Sequence, residues 1–234
     1  MKNTLLLLLF LCFGGVLCAQ DADSLNRTHQ WEVGLLGGAD LNYRNVNLLY
    51  ASDVANEELL GFTYGVTGTY LINPNIALRC DLALIDKNFS VSRITQGYNS
   101  MNYFRRNKYL QLPVMAEFSF GGRYLRGYIA QGFYVGYWCM GTVEGASAVF
   151  DDGLGENSVQ IKEKYEFLSE RDNRFEFGYA SAWGLSGYIF RNVRLGLEYS
   201  LYYGLTSTKR EYMNVDFPEY YTTHAITLRA AYCF

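Results

Sequence analysis

Charged residues are scarce in this sequence, and the two signs nearly balance. Asp, Glu, Lys and Arg make up 18% of its 234 residues, and the formal net charge is −3 at pH 7. Nucleic-acid-binding proteins carry a clustered basic excess, so the composition argues against a nucleic-acid partner. Long hydrophobic runs are also missing, because no stretch after residue 19 holds 18 uninterrupted apolar residues. A transmembrane helix is therefore not predicted.

Cysteine and histidine are too few for the sites that depend on them. Beyond residue 19 the cysteines are Cys80, Cys139 and Cys233, an odd number at wide spacing. This pattern predicts isolated thiols and no disulfide framework. No spacing of His, Cys, Asp and Glu matches a metal site, and the histidines are His29 and His224. The sequence predicts neither a metal nor another cofactor.

The first 19 residues are typical of a secretory signal peptide. Lys2 precedes an apolar run over residues 5–13, and Ala19 supplies the small residue required before cleavage. Cys18 raises the alternative of a lipoprotein, but Leu17 stands where such a signal usually has a small residue. We predict cleavage after Ala19, a short periplasmic lead-in over residues 20–30, and one domain over residues 31–234.

Aromatic residues are abundant, and they alternate with small or polar ones. Tyr contributes 21 residues, Phe 15 and Gly 23. In residues 193–206 one side of an extended strand would be apolar, formed by Val193, Leu195, Leu197, Tyr199, Leu201, Tyr203 and Leu205. A helix would scatter these residues around every face. A strand of this length, tilted by about 40°, stands about 30 Å tall, close to the hydrocarbon thickness of a bilayer.

Seven more segments complete a set of eight predicted strands. The set is 31–40, 61–72, 76–85, 109–120, 123–140, 174–189, 193–206 and 226–234. Pro113 cannot donate to a ladder, so a bulge is expected there. The fifth strand is aromatic on both faces, and the sequence leaves its register open.

The connections between these strands alternate in length. Long ones span 41–60, 86–106, 141–172 and 207–221, and short ones span 73–75, 121–122 and 191–192. A soluble sandwich could show the same alternation within strands, but long external loops and short periplasmic turns are typical of transmembrane barrels. We predict an all-β fold, an eight-stranded antiparallel up-and-down transmembrane β-barrel in the cell outer membrane. Its periplasmic aromatic girdle would be Trp31, Tyr70, Phe118, Phe120, Tyr232 and Phe234.

Three elements of the sequence resemble a known family. The run from Tyr109 and Leu110 to Pro113 is similar to the Y-L-[EQ]-[IL]-P-[LV] strand of PorT-like outer-membrane β-barrel domains of the Bacteroidota. Tyr203, Gly204 and Leu205 resemble that family's penultimate strand, and the terminal Phe234 resembles the signal read by outer-membrane assembly machinery. Cys233 departs from the pattern, since a basic or polar residue is commoner there. The resemblance implies an eight-stranded barrel and, for some members, an accessory role in protein secretion.

Charged residues on the inward faces of the predicted strands define a candidate site. They are Glu32, Arg79, Asp81, Glu117, Arg174, Glu176, Arg194, Glu198 and Arg229. Eight strands enclose an interior that side chains just fill, so these charges must pair or change protonation. We predict a paired network that plugs the lumen. The alternative is a narrow gated conduit that opens when the ion pairs rearrange.

Two further hypotheses concern catalysis and partners. Some small outer-membrane barrels are lipid A hydrolases or acyltransferases, and such chemistry here would need His224 to meet Ser207 or Glu219. A rim histidine beside lipid headgroups is the simpler interpretation, and we predict no catalysis. The acidic loop at 141–172 and the basic loop at 86–106 could bind a protein partner or each other. The expected surroundings are outer-membrane lipid and lipopolysaccharide, with the chain a monomer.

Overall fold

The computed structural model describes residues 30–46, 54–95, 99–122, 125–151, 155–190, 192–210 and 218–234. The predicted signal peptide and residues 20–29 of the predicted lead-in lie outside the described residues. The strands are β1 (Trp31–Val46), β2 (Val54–Glu58), β3 (Leu60–Asn73), β4 (Ile76–Asp86), β5 (Phe89–Thr95), β6 (Asn99–Gly121), β7 (Arg126–Asp151), β8 (Gly155–Lys164), β9 (Phe175–Phe190), β10 (Val193–Gly204) and β11 (Glu219–Cys233). Within the described residues no helix is long and apolar enough to cross a membrane.

Eight of these strands close into an antiparallel barrel, which confirms the predicted fold. Their order around the barrel is β1, β3, β4, β6, β7, β9, β10 and β11, and β11 pairs with β1 to close it. The strands are staggered around the barrel. A path that starts at Val33 and steps from each residue to its partner on the next strand returns to β1 at Tyr43. A stagger of this size tilts the strands by about 40° relative to the barrel axis. We call the end with the short connections and Trp31 the turn end, and the opposite end the loop end.

Three of the predicted long loops are wrong over much of their length. Strand β1 runs on to Val46 and β2 follows it, β5 and the start of β6 occupy the second loop, and β7 and β8 occupy the third. The basic and acidic segments pair with each other, since β6 and β7 stay hydrogen-bonded from Asn99–Val149 downward. Above the barrel both faces of a strand can be polar, so no apolar alternation marks these extensions.

Pro113 does not form the predicted bulge. The β4–β6 ladder keeps one register along its length and only lacks pairs at Leu112 and Pro113. Proline removes a donor, but its fixed φ fits an extended strand without an extra residue. The irregularity of β6 lies instead between Lys108 and Tyr109, where Cys139 of β7 is the extra residue.

The outer face of the barrel is apolar and the inner face is polar. In β10, Leu197 is 53% exposed while the neighbouring Glu198 is 2% exposed. The predicted girdle residues Trp31, Tyr70, Phe118, Phe120, Tyr232 and Phe234 all face outward and are exposed at the turn end. Such an apolar belt around a closed barrel matches a lipid environment.

Candidate functional site

Charged side chains form an ion-paired network inside the half of the barrel nearer the turn end. Arg79 of β4 lies at its centre, 2.6 Å from Glu198 and 3.3 Å from both Asp81 and Glu117. Arg229 of β11 pairs with Asp81 at 2.9 Å and with Glu198 at 3.2 Å. Each carboxylate therefore contacts a guanidinium, as buried charges require.

Arg194 carries this network toward the turn end. Its guanidinium lies 3.0 Å from Glu32 of β1 and 3.0 Å from Glu117 of β6. The Tyr128 hydroxyl donates to Glu198 at 2.8 Å. The structure thus brings seven of the predicted residues together, which we call the arginine network: Glu32, Arg79, Asp81, Glu117, Arg194, Glu198 and Arg229.

Two predicted lumen residues lie elsewhere. Glu176 is buried nearer the loop end, where its carboxylate is 2.5 Å from the Lys87 ammonium and accepts a hydrogen bond from Tyr134 at 2.7 Å. Arg174 does not belong to the lumen, because it donates to the Trp138 carbonyl at 3.0 Å and lies over the Phe167 ring. Arg174 precedes β9, so the inward alternation of that strand does not extend to it.

An apolar layer separates the arginine network from Glu176. Along the inward row of β4, Arg79 and Asp81 are followed by Ala83 and Ile85, and Lys87 comes next. Ala83 and Ile85 belong to a buried cluster with Leu36, Met115, Ala130, Tyr134, Ala180, Ala182, Tyr202 and Ala225. The rings of Tyr134 and Tyr202 meet edge to face at 5.6 Å. This alanine–tyrosine layer makes the lumen mostly apolar at that depth, where the Gln111 amide beside Ala83 is a buried polar group.

Beyond the layer, aromatic rings surround buried cations. The Lys87 ammonium lies 4.7 Å from the Tyr109 ring centre and 5.5 Å from those of Tyr134 and Tyr221. Tyr109 stacks on Trp138 at 5.7 Å, and that indole continues the stack to the mouth of the barrel. Cations over ring faces gain electrostatic stabilisation where water is excluded.

Residues 165–174, the mouth segment, fold over this end of the barrel. Tyr165 stacks on Trp138 at 5.2 Å, and its backbone N–H donates to the Gly141 carbonyl. Asp172 is 2.6 Å from Lys209 and accepts hydrogen bonds from Tyr165 and Arg171. Burial acts to raise the pKa of Asp172, but the hydrogen bonds from Arg171 and Lys209 outweigh it and hold that pKa well below its usual value.

Several residues of this site were not predicted as such. Lys87 and Arg105 lie inside the lumen but fell in a predicted loop, whose facing was not assigned. The sequence pattern does indicate the inward facing of Lys87, because it comes two residues after Ile85 and so continues the inward alternation of β4. Tyr128 and Tyr134 belong to the fifth predicted strand, and its neighbours β6 and β9 now fix their inward facing.

The family-like motif residues occupy both faces of the barrel. Tyr109 is buried, Pro113 faces inward, and Leu110, Tyr203, Leu205 and Phe234 are exposed outside. Steric crowding explains the glycine at position 204, because a Cβ atom there would lie 2.8 Å from a carboxylate oxygen of Glu176.

His224 does not meet the partners considered for catalysis. Its ring nitrogen is 2.6 Å from the Tyr199 hydroxyl, on the outer face of the barrel. Glu219 instead binds Arg44 and Tyr221, and Ser207 donates to the Lys209 carbonyl. Among the described residues, no group of three or more His, Cys, Asp or Glu could hold a metal ion.

One family model and several solved structures are similar to this chain. A family model described as outer membrane protein beta-barrel domain matches residues 18–210. Neisserial surface protein A has a TM-score of 0.44 at 12% identity, covering 87% of this chain and 97% of its own. OprG from Pseudomonas aeruginosa has a TM-score of 0.45 at 10% identity, covering 88% and 97%. Ail of Yersinia pestis has a TM-score of 0.38 at 13% identity, covering 88% and 99%. No curated protein matches the chain.

Proposed function

The chain belongs to the outer membrane protein β-barrel domain family, and on that premise we propose that it is a closed barrel with a structural or interaction role. The turn end then faces the periplasm and the loop end faces outward. The observation that carries the proposal is the alanine–tyrosine layer between the arginine network and Lys87. A steady ion current would have to cross it.

Two features support a plugged lumen. An ion that entered the alanine–tyrosine layer would lose most of its hydration and would gain few polar partners, which is costly in a low dielectric. Below that layer, Arg79 of β4 and Arg229 of β11 bind the same carboxylate, Glu198 of β10, and thus tie strands together across the interior. A gated conduit would require both features to rearrange together.

Conductance measurement tests this proposal. Purified full-length protein in planar bilayers is expected to show no steady current at neutral pH. Insertion is checked by heat-dependent gel mobility of the reconstituted barrel, and a porin of known conductance in the same bilayer shows that the assay detects open pores. Persistent openings of the wild-type chain would contradict the closed barrel and favour the gated conduit.

The interaction role is supported by the sheet that extends above the barrel. There Glu144 lies 3.0 Å from Lys162 and 3.7 Å from Arg106, at an exposed charged surface. We assign a protein partner to this sheet, and we propose an accessory role in secretion on the basis of the resemblance to PorT-like motifs. Deleting residues 144–162 removes Glu144 and Lys162 and spares Tyr165 and the mouth segment. Co-purification of a partner in mild detergent should be lost in that variant, and its survival would exclude docking there.

The remaining parts of the proposal concern catalysis and processing. We propose no catalysis, supported by the separation of His224 from Ser207 and Glu219; a changed acyl pattern in lipid A mass spectra on overexpression would refute this.

The leader is proposed to be cleaved after Ala19 in a bacterium of the Bacteroidota. Intact mass of the mature chain checks the cleavage site.

A further inference from the structure

Arg105 differs from the other buried cations of this lumen. It is 8% exposed, yet its Nε and Nη2 atoms are buried without a hydrogen-bond partner. Arg79, Arg194 and Arg229 each contact two or more carboxylates, and Lys87 contacts Glu176. A buried charge without a counter-ion is strongly unfavourable.

The carboxylates near the mouth of the barrel are already engaged. Glu219 is 2.8 Å from Arg44 and accepts the Tyr221 hydroxyl at 2.7 Å. Asp172 is held by Lys209 and by residues of the mouth segment. None of the described carboxylates lies within ion-pair distance of Arg105, and Glu219 acts on it only electrostatically from beyond that distance. A direct ionic partner for Arg105 is therefore missing from the described residues.

One edge of the Arg105 guanidinium is buried and has no hydrogen-bond partner among the described residues. The ring centres of Tyr165, Trp138 and Phe89 lie 3.9, 4.8 and 5.8 Å from its central carbon. Rings interact with the faces of a guanidinium, whereas its N–H groups point outward in its plane. Nε and Nη2 are the two donors on one side of that plane, and together they form the fork that grips two oxygens of a carboxylate or phosphate.

We propose that Arg105 is an oxyanion-binding site at the loop end of the barrel. Its ligand is a carboxylate or phosphate group, held by the Nε–Nη2 edge and walled by Tyr165, Trp138 and Phe89. Three inward residues below it on β6 also keep unpaired polar atoms, namely Asn107 Oδ1, Tyr109 Oη and the Gln111 amide. Buried polar groups normally form hydrogen bonds with water or with a ligand, so we expect water molecules or part of the ligand along this face of the lumen.

Titration with inorganic phosphate tests the site. The Trp138 indole lies next to Arg105 and reports binding by fluorescence once the exposed Trp31 and Trp183 are replaced by Phe. In full-length protein in zwitterionic detergent, sodium phosphate should give a saturable change that sodium chloride of equal ionic strength does not. Arg105→Gln should weaken binding about tenfold or more, because two charge-assisted hydrogen bonds are lost. Arg105→Lys should fall between, since it keeps the charge without the fork.

Arg106→Gln is the matched control. Arg106 is the next residue, but its side chain is 65% exposed and pairs with Glu144. This variant should bind phosphate like the parent. Heat-dependent gel mobility and circular dichroism establish that each variant is folded, and phosphate should raise the melting temperature of the parent but not of Arg105→Gln. Equal phosphate affinity of parent and Arg105→Gln would overturn the proposal. So would a parent that shows no saturable response either to phosphate or, in a parallel titration, to sodium acetate as the carboxylate probe.

The same titration distinguishes a soluble anion from a lipid headgroup. Micelles doped with phosphatidic acid present the phosphate on a lipid. If lipid phosphate fills the site, doping should change Trp138 fluorescence in the parent but not in Arg105→Gln, and added phosphate should have no further effect. If the site takes soluble anions, doped and undoped micelles should give the same phosphate titration. Either pattern supports an oxyanion at Arg105 and assigns its source.

Discussion

The two halves of the lumen neutralise buried cations in different ways. Toward the turn end, the guanidinium groups of the arginine network are matched with four carboxylates within 3.3 Å. Toward the loop end, Lys87 has one carboxylate and three tyrosine rings, whereas Arg105 contacts rings and has no described carboxylate within ion-pair distance. In the first half every cation of the arginine network has a carboxylate partner, whereas in the second half Arg105 can still bind an external anion.

This difference suggests a division of roles along one barrel. Paired ions cross-link strands but offer no free donor, so the arginine network suits closure and rigidity. Aromatic rings stabilise a cation less strongly than a carboxylate does, and they leave its N–H groups unoccupied. Binding is therefore expected at the loop end and not at the turn end.

The largest expected effect comes from removing the central arginine. Arg79→Gln leaves Glu117 and Glu198 with fewer partners in a buried site, which should destabilise the barrel by about 3–5 kcal/mol. Urea unfolding of the protein in lipid vesicles measures this change through the midpoint and slope. Arg174→Gln is the control, because that residue lies outside the lumen and should cost less than about 1 kcal/mol. Equal losses in both variants would contradict a special role for the arginine network.

A smaller effect is expected from the ion pair at the loop end. Glu176→Gln removes the carboxylate of Lys87, but the rings of Tyr109, Tyr134 and Tyr221 still face the ammonium. The loss should be about 1–3 kcal/mol, since cation–π contacts retain part of the stabilisation. The same urea unfolding measures it. Adding Lys87→Met to this variant should recover most of the loss, because the ammonium that Glu176 neutralises is then removed as well. A loss as large as that of Arg79→Gln would show that the rings do not compensate.

Much of the barrel follows from a period-two pattern in the sequence. Within the membrane one face of each strand must be apolar. The alternating apolar residues around Leu197 therefore predict both that the segment is a strand and which of its side chains point outward. Above the membrane this requirement ends, which is why β5, β8 and the upper part of β6 were taken for loops. Pro113 suggested a bulge by its missing donor, but a lost hydrogen bond does not require an additional residue.

The contents of the lumen were only partly predictable. Charges on well-patterned strands, such as Arg79 and Glu198, could be assigned to the interior, since the apolar face of each strand had to point outward. The partners of each ion could not, because pairing across the barrel depends on the stagger between strands and not on any single strand. Arg105 was missed for the opposite reason: the residues around it show no alternation, and its facing comes from its pairing with Phe89 and Val143.

The smallest expected effect concerns the mouth segment and its pH dependence. The pKa of Asp172 is lowered in the folded protein, so its stabilisation is complete above the ordinary carboxyl pKa of about 3.9 and is lost only as pH falls through the lower folded value. Amide-exchange protection at Leu168, whose N–H donates to Asp172, should therefore be equal at pH 7 and pH 5. Asp172→Asn should reduce it about tenfold at pH 7, on the order of 1 kcal/mol. Glu170→Gln, at an exposed neighbour, should leave it unchanged. Protection that already declines between pH 7 and pH 5 would mean that the pKa of Asp172 is raised in the folded protein and not lowered, which would contradict its role in holding the mouth segment.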